Sequence, residues 1–440
     1  LVTEVFTNSD LDAMPGKAAV GHCRYGTAGA KGWEAAQPHL SSIDETIIAL
    51  AHNGTLVNFD TLRKELVTRD ISFRSDTDSE VAAQLIGYFT QKTHRLRSGI
   101  AATMRLIEGG YAMVLVRENA LYAFRDPHGI RPLVLGRLGS PEDNSWVVAS
   151  ETCALDIVGA TYIREVEPGE IIKISDDGLR SERGLTHRDP AACIFEDVYF
   201  SRPDSVVDGR SIYWVRHTMG RQLARETSID ADLVIGVPDS GVPAAEGFAA
   251  ELGIPFGTGL IKNRYVARTF IQPTQDLRRL GVRLKLNALA DVVRGKRLVM
   301  VDDSVVRGTT SKQIVRMLRD AGACEVHVRS ASPKVMWPCF YGIDTADQDQ
   351  LIAAYKTTEE ICEYIEADSL GFLSLEGLLD CVPKRGYCAA CFNGHYPVEI
   401  PDDFHERFVS GMCPHALNCS HALTFTQVET QLAQKGPQDV

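Results

Sequence analysis

Leu298 to Thr310 reads LVMVDDSVVRGTT. An apolar run meets two adjacent aspartates, and Ser304, two valines, Arg307, Gly308, Thr309 and Thr310 follow. Two close carboxylates repel, and each loses hydration when buried, so a buried strand that ends in this pair needs a reason. Asp302 and Asp303 can accept hydrogen bonds from vicinal hydroxyls. The loop behind them leads into a helix N-terminus. Backbone N–H groups, the positive end of the helix dipole and the hydroxyls of Ser304, Thr309 and Thr310 suit a phosphate there. Gly308 lets the backbone approach closely. Ligands of open α/β sheets bind beyond the carboxyl ends of the strands. A ribose 5-phosphate meets both demands. A solvated acidic turn with a helix cap also explains Asp302-Asp303 taken alone; the whole string is the more specific signal.

Other groups along the chain could act with it. VPDSGVPAA (Val237 to Ala245) places Asp239, Ser240 and Gly241 at a strand-to-helix turn. KNRYVARTFIQPTQDLRR carries Lys262, Arg264, Arg268, Arg278 and Arg279. In a chain of net charge -12, that local basicity fits a polyanion. Taken singly, these are an ordinary turn and a solvated basic loop. GHCRYGTAG, AHNGTLVN and RSDTDSE come in that order, each ending or following a short strand. Locally, Asn53-Gly54 reads as a turn, Arg24 as a surface ion pair and Asp78 as a helix cap. CAAC (Cys388 to Cys391) is the one close cysteine pair, and a lone C-x-x-C fixes no metal geometry. Cys413 and Cys419 beside His415 and His421 give a weaker zinc-like cluster. Buried free thiol is the reading for Cys153, Cys324 and Cys362.

These residues need elements to hold them. Residues 1–190 alternate short apolar runs with Gly, Asn-Gly and Asp-Gly breaks, which predicts an α+β domain rich in antiparallel sheet. DSEVAAQLIGYF is a helix within it. From about residue 212 strands and helices alternate: YWVRHTMGRQLARE, DLVIGVP, VPAAEGFAAELG, KRLVMVDD, TTSKQIVRMLRDAG and CEVHVRSASP. That order predicts an α/β domain over 191–440 with a parallel sheet. Ile314, Met317, Leu318 and Ala321 fall on one helical face, with Gly322 as the stop.

The 440 residues suffice for two or three domains. Net charge -12 argues against non-specific nucleic-acid binding. No apolar run reaches the length of a membrane span. The odd count of eleven scattered cysteines, without an opening signal peptide, predicts the reducing cytoplasm.

The string at 298–310 resembles the phosphoribosyl pyrophosphate (PRPP) signature of type I phosphoribosyltransferases. The resemblance implies that Asp302 and Asp303 hold the ribose hydroxyls. Ser304, Arg307, Gly308, Thr309 and Thr310 would cradle the 5-phosphate, and Asp239, Ser240 and Gly241 would bind pyrophosphate. Lys262 would open a loop that closes over PRPP. Mg2+ would come with the substrate, near Ser240, Asp302 and Asp303. The N-terminal motifs resemble the glutaminase domain of N-terminal-nucleophile (class II) amidotransferases. Asn53 and Gly54 then match the oxyanion hole, Arg24 the partner of the glutamine carboxylate, and Asp78 the partner of its amino group. The family's nucleophile is an N-terminal cysteine. Leu1 stands first here, so the chain reads as lacking its first strands and should not by itself hydrolyse glutamine. Cys23 is not promoted to that role.

Both halves in this order resemble the glutamine PRPP amidotransferase family, with RDPHGIRPLVLG, ASETCALDIVGATYIREVEPGE and CIFEDVYFSRPDS adding to the match. In its cluster-bearing branch, Cys193, Cys339, Cys388 and Cys391 would hold a [4Fe–4S] cluster; zinc suits the same sulfurs. The resemblance implies ammonia transfer from glutamine to PRPP, feedback by purine nucleotides and a homotetramer. A salvage phosphoribosyltransferase and a PRPP-binding regulator are the competing readings.

Overall fold

The computed structural model describes residues 7–14, 16–23, 32–140, 143, 145–186, 188–263, 286–343, 345, 347–401 and 423–434. Arg24, the basic residues of 264–285, Cys413 and Cys419 lie outside them.

The first half contains β1 (His39–Ile43), β2 (Thr46–Leu56), β3 (Gly109–Arg117), β4 (Ala120–Arg125), β5 (Val134–Leu138), β6 (Ser145–Ala149), β7 (Ala160–Glu165), β8 (Glu170–Ser175) and β9 (Gly178–Arg183). One sheet runs β1-β2-β3-β4-β8-β9 and a second runs β6-β5-β7, with every pair antiparallel. Helix Asp78–Thr93 packs Val81, Leu85, Ile86 and Phe89 against Ile48, Leu50, Met113 and Leu115 of the larger sheet. Ala112, Ala123 and Ile172 point to the opposite face and meet Leu133, Leu135 and Val166. Strand residues alternate sides, so one sheet serves two cores.

The second half opens with β10 (Ala192–Cys193) and a small hairpin, β11 (Val206–Val207) and β12 (Arg210–Ser211). It continues with β13 (Leu233–Gly236), β14 (Leu260–Lys262), β15 (Leu286–Ala288), β16 (Arg297–Asp302), β17 (Glu325–Ser330), β18 (Ser369–Phe372) and β19 (Tyr387–Cys388). Its main sheet runs β13-β16-β17-β18, all parallel. Leu298 and Met300 face helices Thr309–Asp320 and Thr358–Ile365, whereas Val299 and Val301 face helices Ile212–Glu226 and Val242–Leu252. Both faces are covered, hence the unbroken apolar run before the acids.

Several expectations change. Asn53-Gly54 is no turn; β2 runs straight through it, with Gly54 at φ +139. RSDTDSE follows a helix (Phe59–Val67), not a strand. Its cap is Thr77, whose side chain accepts from Glu80 N, so Asp78 is the first helical residue instead. In helix Thr309–Asp320 the fully buried residues are Ile314, Val315 and Leu318, while Met317 and Ala321 pack half-buried at the rim. Cys153 is buried as expected, but Cys362 is half-buried and Cys324 is exposed. The C-terminal helix Phe425–Gln434 returns to the first half: Phe425 and Val428 join its core, and Glu429 accepts from Tyr88 Oη at 2.6 Å. The segment expected in the second domain thus clasps the first.

Candidate active sites

Asp302 ends β16 and Asp303 follows, both more than nine-tenths buried. The sheet's central position forces that burial, and the loop beside them tightens it. A Cβ on Gly241 would stand 2.6 Å from Val301 O, so only glycine lets Val237–Gly241 abut the strand end. Ser240 donates to Asp303, Ser304 Oγ donates to Asp303 Oδ1 at 2.6 Å, and Asp303 N donates to Asp302 Oδ1 at 2.9 Å. Burial raises both carboxyls above the usual range, Asp302 well above it, and the charge on Asp303 raises Asp302 further. A buried cation, Arg216, opposes the rise at Asp303. Gly308, at φ +70, turns the chain into helix Thr309–Asp320. Arg307, Thr309 and Thr310 are exposed at that turn. Lys262, at the end of β14, pairs with Asp239 across the loops. The residues expected to grip PRPP therefore gather at one end of the β13-β16-β17-β18 sheet, with Lys262 reaching Asp239 from the β14-β15 hairpin.

A second cluster forms at β2. Leu56 N donates to Asp78 Oδ2 at 2.9 Å, which brings Asp78 beside the strand that carries Asn53 and Gly54. The Arg74–Glu80 loop is folded by Glu80, whose carboxylate accepts from Arg74 N and Ser75 N at 2.8 and 2.6 Å. His52 Nδ1 lies 3.0 Å from Ser79 Oγ and 3.7 Å from Asp78 Oδ2. A Cβ on Gly54 would fall 1.9 Å from Gly110 O, so this position admits glycine alone. Asn53 Oδ1 accepts from Arg131 at 3.2 Å, and Arg131 also pairs with Glu196 at 2.9 Å. Neither Arg131 nor Arg216 carries a local sequence signal beyond lying inside RDPHGIRPL and an amphipathic helix.

Beside the second cluster, with Arg131 in its wall, lies a cavity lined by Cys193, Cys339, Cys388 and Cys391, with Tyr341 and Tyr396. The register of β10 on β19 sets Cys193 directly opposite Cys388. Burial lifts all four thiols above the ordinary range, Cys388 to about 12. Among the described residues, no three His, Cys, Asp or Glu side chains stand close enough to hold a single metal ion. Also among the described residues, no helix is long and apolar enough to cross a membrane.

Comparison with known proteins places both halves of the chain. Residues 27–156 match a glutamine amidotransferase domain model, and residues 215–331 match a phosphoribosyl transferase domain model. The chain is 53% identical over 405 residues to the amidophosphoribosyltransferase of Synechocystis, covering 91% of this chain and 82% of that one. The chain belongs to the amidophosphoribosyltransferase family. The Bacillus subtilis amidophosphoribosyltransferase is 50% identical over 413 residues, covering 92% of this chain and 85% of the relative. A solved B. subtilis glutamine PRPP amidotransferase, complexed with ADP and GMP, superposes with a TM-score of 0.83 at 49% identity, covering 92% of this chain and 88% of that one. An allosteric regulatory enzyme of purine biosynthesis superposes with a TM-score of 0.85 at 48% identity, covering 93% and 89%. As an amidophosphoribosyltransferase, this chain has the two-domain order that its motifs predicted, an antiparallel amidotransferase half followed by a parallel phosphoribosyltransferase half.

Proposed function

We propose that this chain makes 5-phosphoribosylamine from PRPP and glutamine-derived ammonia, the opening step of purine synthesis. The observation that carries the reading is the buried Asp302-Asp303 pair at the carboxyl end of β16, walled by the Val237–Gly241 loop. Asp302 and Asp303 accept hydrogen bonds from the ribose 2- and 3-hydroxyls. The turn Ser304, Arg307, Gly308, Thr309 and Thr310 receives the 5-phosphate. Asp239, Ser240 and Gly241 receive the pyrophosphate, and Lys262 trades Asp239 for it. Ammonia then displaces pyrophosphate from C1 while these groups hold the leaving anion and the cation-like ribose apart from water. Ser240, Asp302 and Asp303 would hold Mg2+, which would supply charge neutralisation of the pyrophosphate. In the amidotransferase half, the Asn53 amide and the Gly54 N–H face the developing oxyanion, and Asp78 and Arg24 take the two charged ends of glutamine.

The thiol cavity fits a [4Fe–4S] cluster held by Cys193, Cys339, Cys388 and Cys391. Four thiols converge on it from three separate segments. Zinc suits the same four sulfurs, and iron, sulfide and zinc analysis separates the two. The cluster's contribution is structural, pinning the interdomain segment to the C-terminal region. A homotetramer, purine-nucleotide feedback and a cytoplasmic setting belong to the same proposal, the feedback supported by the ADP- and GMP-bound relative.

The deciding experiment supplies PRPP, Mg2+ and an ammonium salt and follows pyrophosphate release. The chain should release it without a purine base. Asp302→Asn with Asp303→Asn should cut the rate by at least a hundredfold, since two charge-assisted hydrogen bonds are lost. Unchanged PRPP kinetics would remove the ribose assignment. Activity that depends on an added purine base would favour a salvage enzyme instead.

A further inference from the structure

We infer that Arg131 is a positioning residue that fixes which end of the Asn53 carboxamide faces the oxyanion. The inference rests on the proposed oxyanion role of Asn53. A carboxamide offers an acceptor at one end and donors at the other, and only the donor end stabilises an oxyanion. A guanidinium has five donors and no acceptor. Arg131, donating to Asn53 at 3.2 Å, therefore accepts no orientation but the one with Oδ1 toward itself. The Nδ2 donor then points the opposite way.

The loop that carries Arg131 is built to hold it still. Asp126 is fully buried and accepts from His128 N at 3.0 Å, from Ile130 N at 3.0 and 3.1 Å, and from Tyr111 N at 3.2 Å. Arg125 Nε donates to Arg131 O at 2.6 Å, and its other nitrogens reach Gly129 O and Val166 O, each at 2.9 Å. Glu196 holds the Arg131 guanidinium from the second half of the chain. Arg131 is 5% exposed, and its Nε and Nη1 have no hydrogen-bond partner among the described residues. The side chain also lines the thiol cavity, so one guanidinium touches the oxyanion residue, the interdomain glutamate and the wall of the cysteine site. Gly54 is braced from the same wall: a Cβ on Gly342, three residues beyond Cys339, would lie 3.0 Å from Gly54 Cα.

The test uses the full-length gene product and compares phosphoribosylamine formation from glutamine with that from ammonium salt. Arg131→Met offers Asn53 no donor, and Arg131→Gln offers a group that satisfies either end of it. Both should lower kcat with glutamine at least tenfold, towards the roughly hundredfold cost of deleting an oxyanion donor. KM for glutamine and the ammonia-dependent rate should hold, and Arg131→Lys should recover part of the loss. In an Asn53→Ala background, Arg131→Gln should cost nothing further, because nothing is left to orient. A merely structural Arg131 would instead lower the ammonia rate in step, or cost the same factor in both backgrounds, and either result overturns the inference. Should Arg131→Met yield no folded protein, Arg131→Gln decides on the same criteria. Asn53→Ala with full glutamine activity would overturn the oxyanion reading and the inference together. A crippled Asn53→Ala beside an unaffected Arg131→Gln would overturn the inference alone.

Discussion

Replacing His52 tests how the amidotransferase half responds to acid. The His52 side chain is almost wholly enclosed, and its Nε2 has no hydrogen-bond partner among the described residues. Two effects oppose each other. Burial disfavours the imidazolium, whereas Asp78, 3.7 Å away, favours it. Burial is the larger, and Arg131 and His39 add to it, so the His52 pKa lies below the usual histidine range. For a histidine, a depressed folded-state pKa means stability that is intact above the unfolded pKa and lost as pH falls below it. The unfolded value is about 6.5, so by pH 5 the loss reaches at most about 2 kcal/mol, the full cost of keeping an imidazole neutral over that interval. His52→Gln removes this acid term but also weakens the 3.0 Å contact with Ser79. The variant should be less stable than the parent at pH 8, by about 1 kcal/mol for the hydrogen bond. The gap should narrow or reverse at pH 5. Urea titrations of both proteins at a series of pH values measure it, and other histidines cancel in the difference. Parallel stability curves between pH 8 and 5 would refute the burial argument. A gap that widens in acid would show that the attraction of Asp78 wins over desolvation.

The cluster proposal predicts a brown protein with iron and sulfide near stoichiometric, and Cys391→Ser should lose both together with thermal stability; a colourless preparation containing zinc would overturn it. Phe425→Ala removes an aromatic side chain that stacks 5.2 Å from Phe89 and 5.5 Å from Tyr88. The first thermal transition should fall with a cost of about 3–5 kcal/mol, while ammonia-dependent activity persists at temperatures below it.

The central stretch of the candidate phosphoribosyltransferase site was legible as an arrangement because it is contiguous. Strand, acids, turn and helix start all lie within Leu298–Thr310, so local rules place them without knowledge of the rest of the chain. The candidate amidotransferase site was marked by motif and not by local structure. An Asn-Gly pair reads as a turn because glycine favours positive φ. Here Gly54 does adopt positive φ, but as the ninth residue of an eleven-residue strand, where Gly110 leaves no space for a Cβ. That constraint comes from β3, more than fifty residues away, and no window of sequence contains it. Arg131 and the return of Phe425 to the first half are contacts of the same kind. Exposure of Cys324 is too: it depends on where a short turn meets solvent, which apolar neighbours in sequence do not decide.

The two sites also differ in what holds them together. The Asp302-Asp303 site is closed by its own half of the chain: Gly241, Ser240 and Ser304 all come from the parallel-sheet domain. The Asn53-Gly54 site is not. Gly342 rests on Gly54, Tyr341 packs on Gly110, and Glu196 holds the arginine that touches Asn53. One apolar cluster runs through this joint, from Val57 and Ile130 of the first half to Phe195, Phe340 and Tyr341 of the second. Its continuity makes the amidotransferase geometry a property of the docked halves. Gly342 and Glu196 belong to this joint, and Arg216, which donates to Asp197 O at 2.9 Å and to Ser201 O at 2.8 Å, ties the same segment to the Asp303 side. Under the proposed function, the glutaminase step then depends on an acceptor domain already in place, through ordinary packing across a shared core.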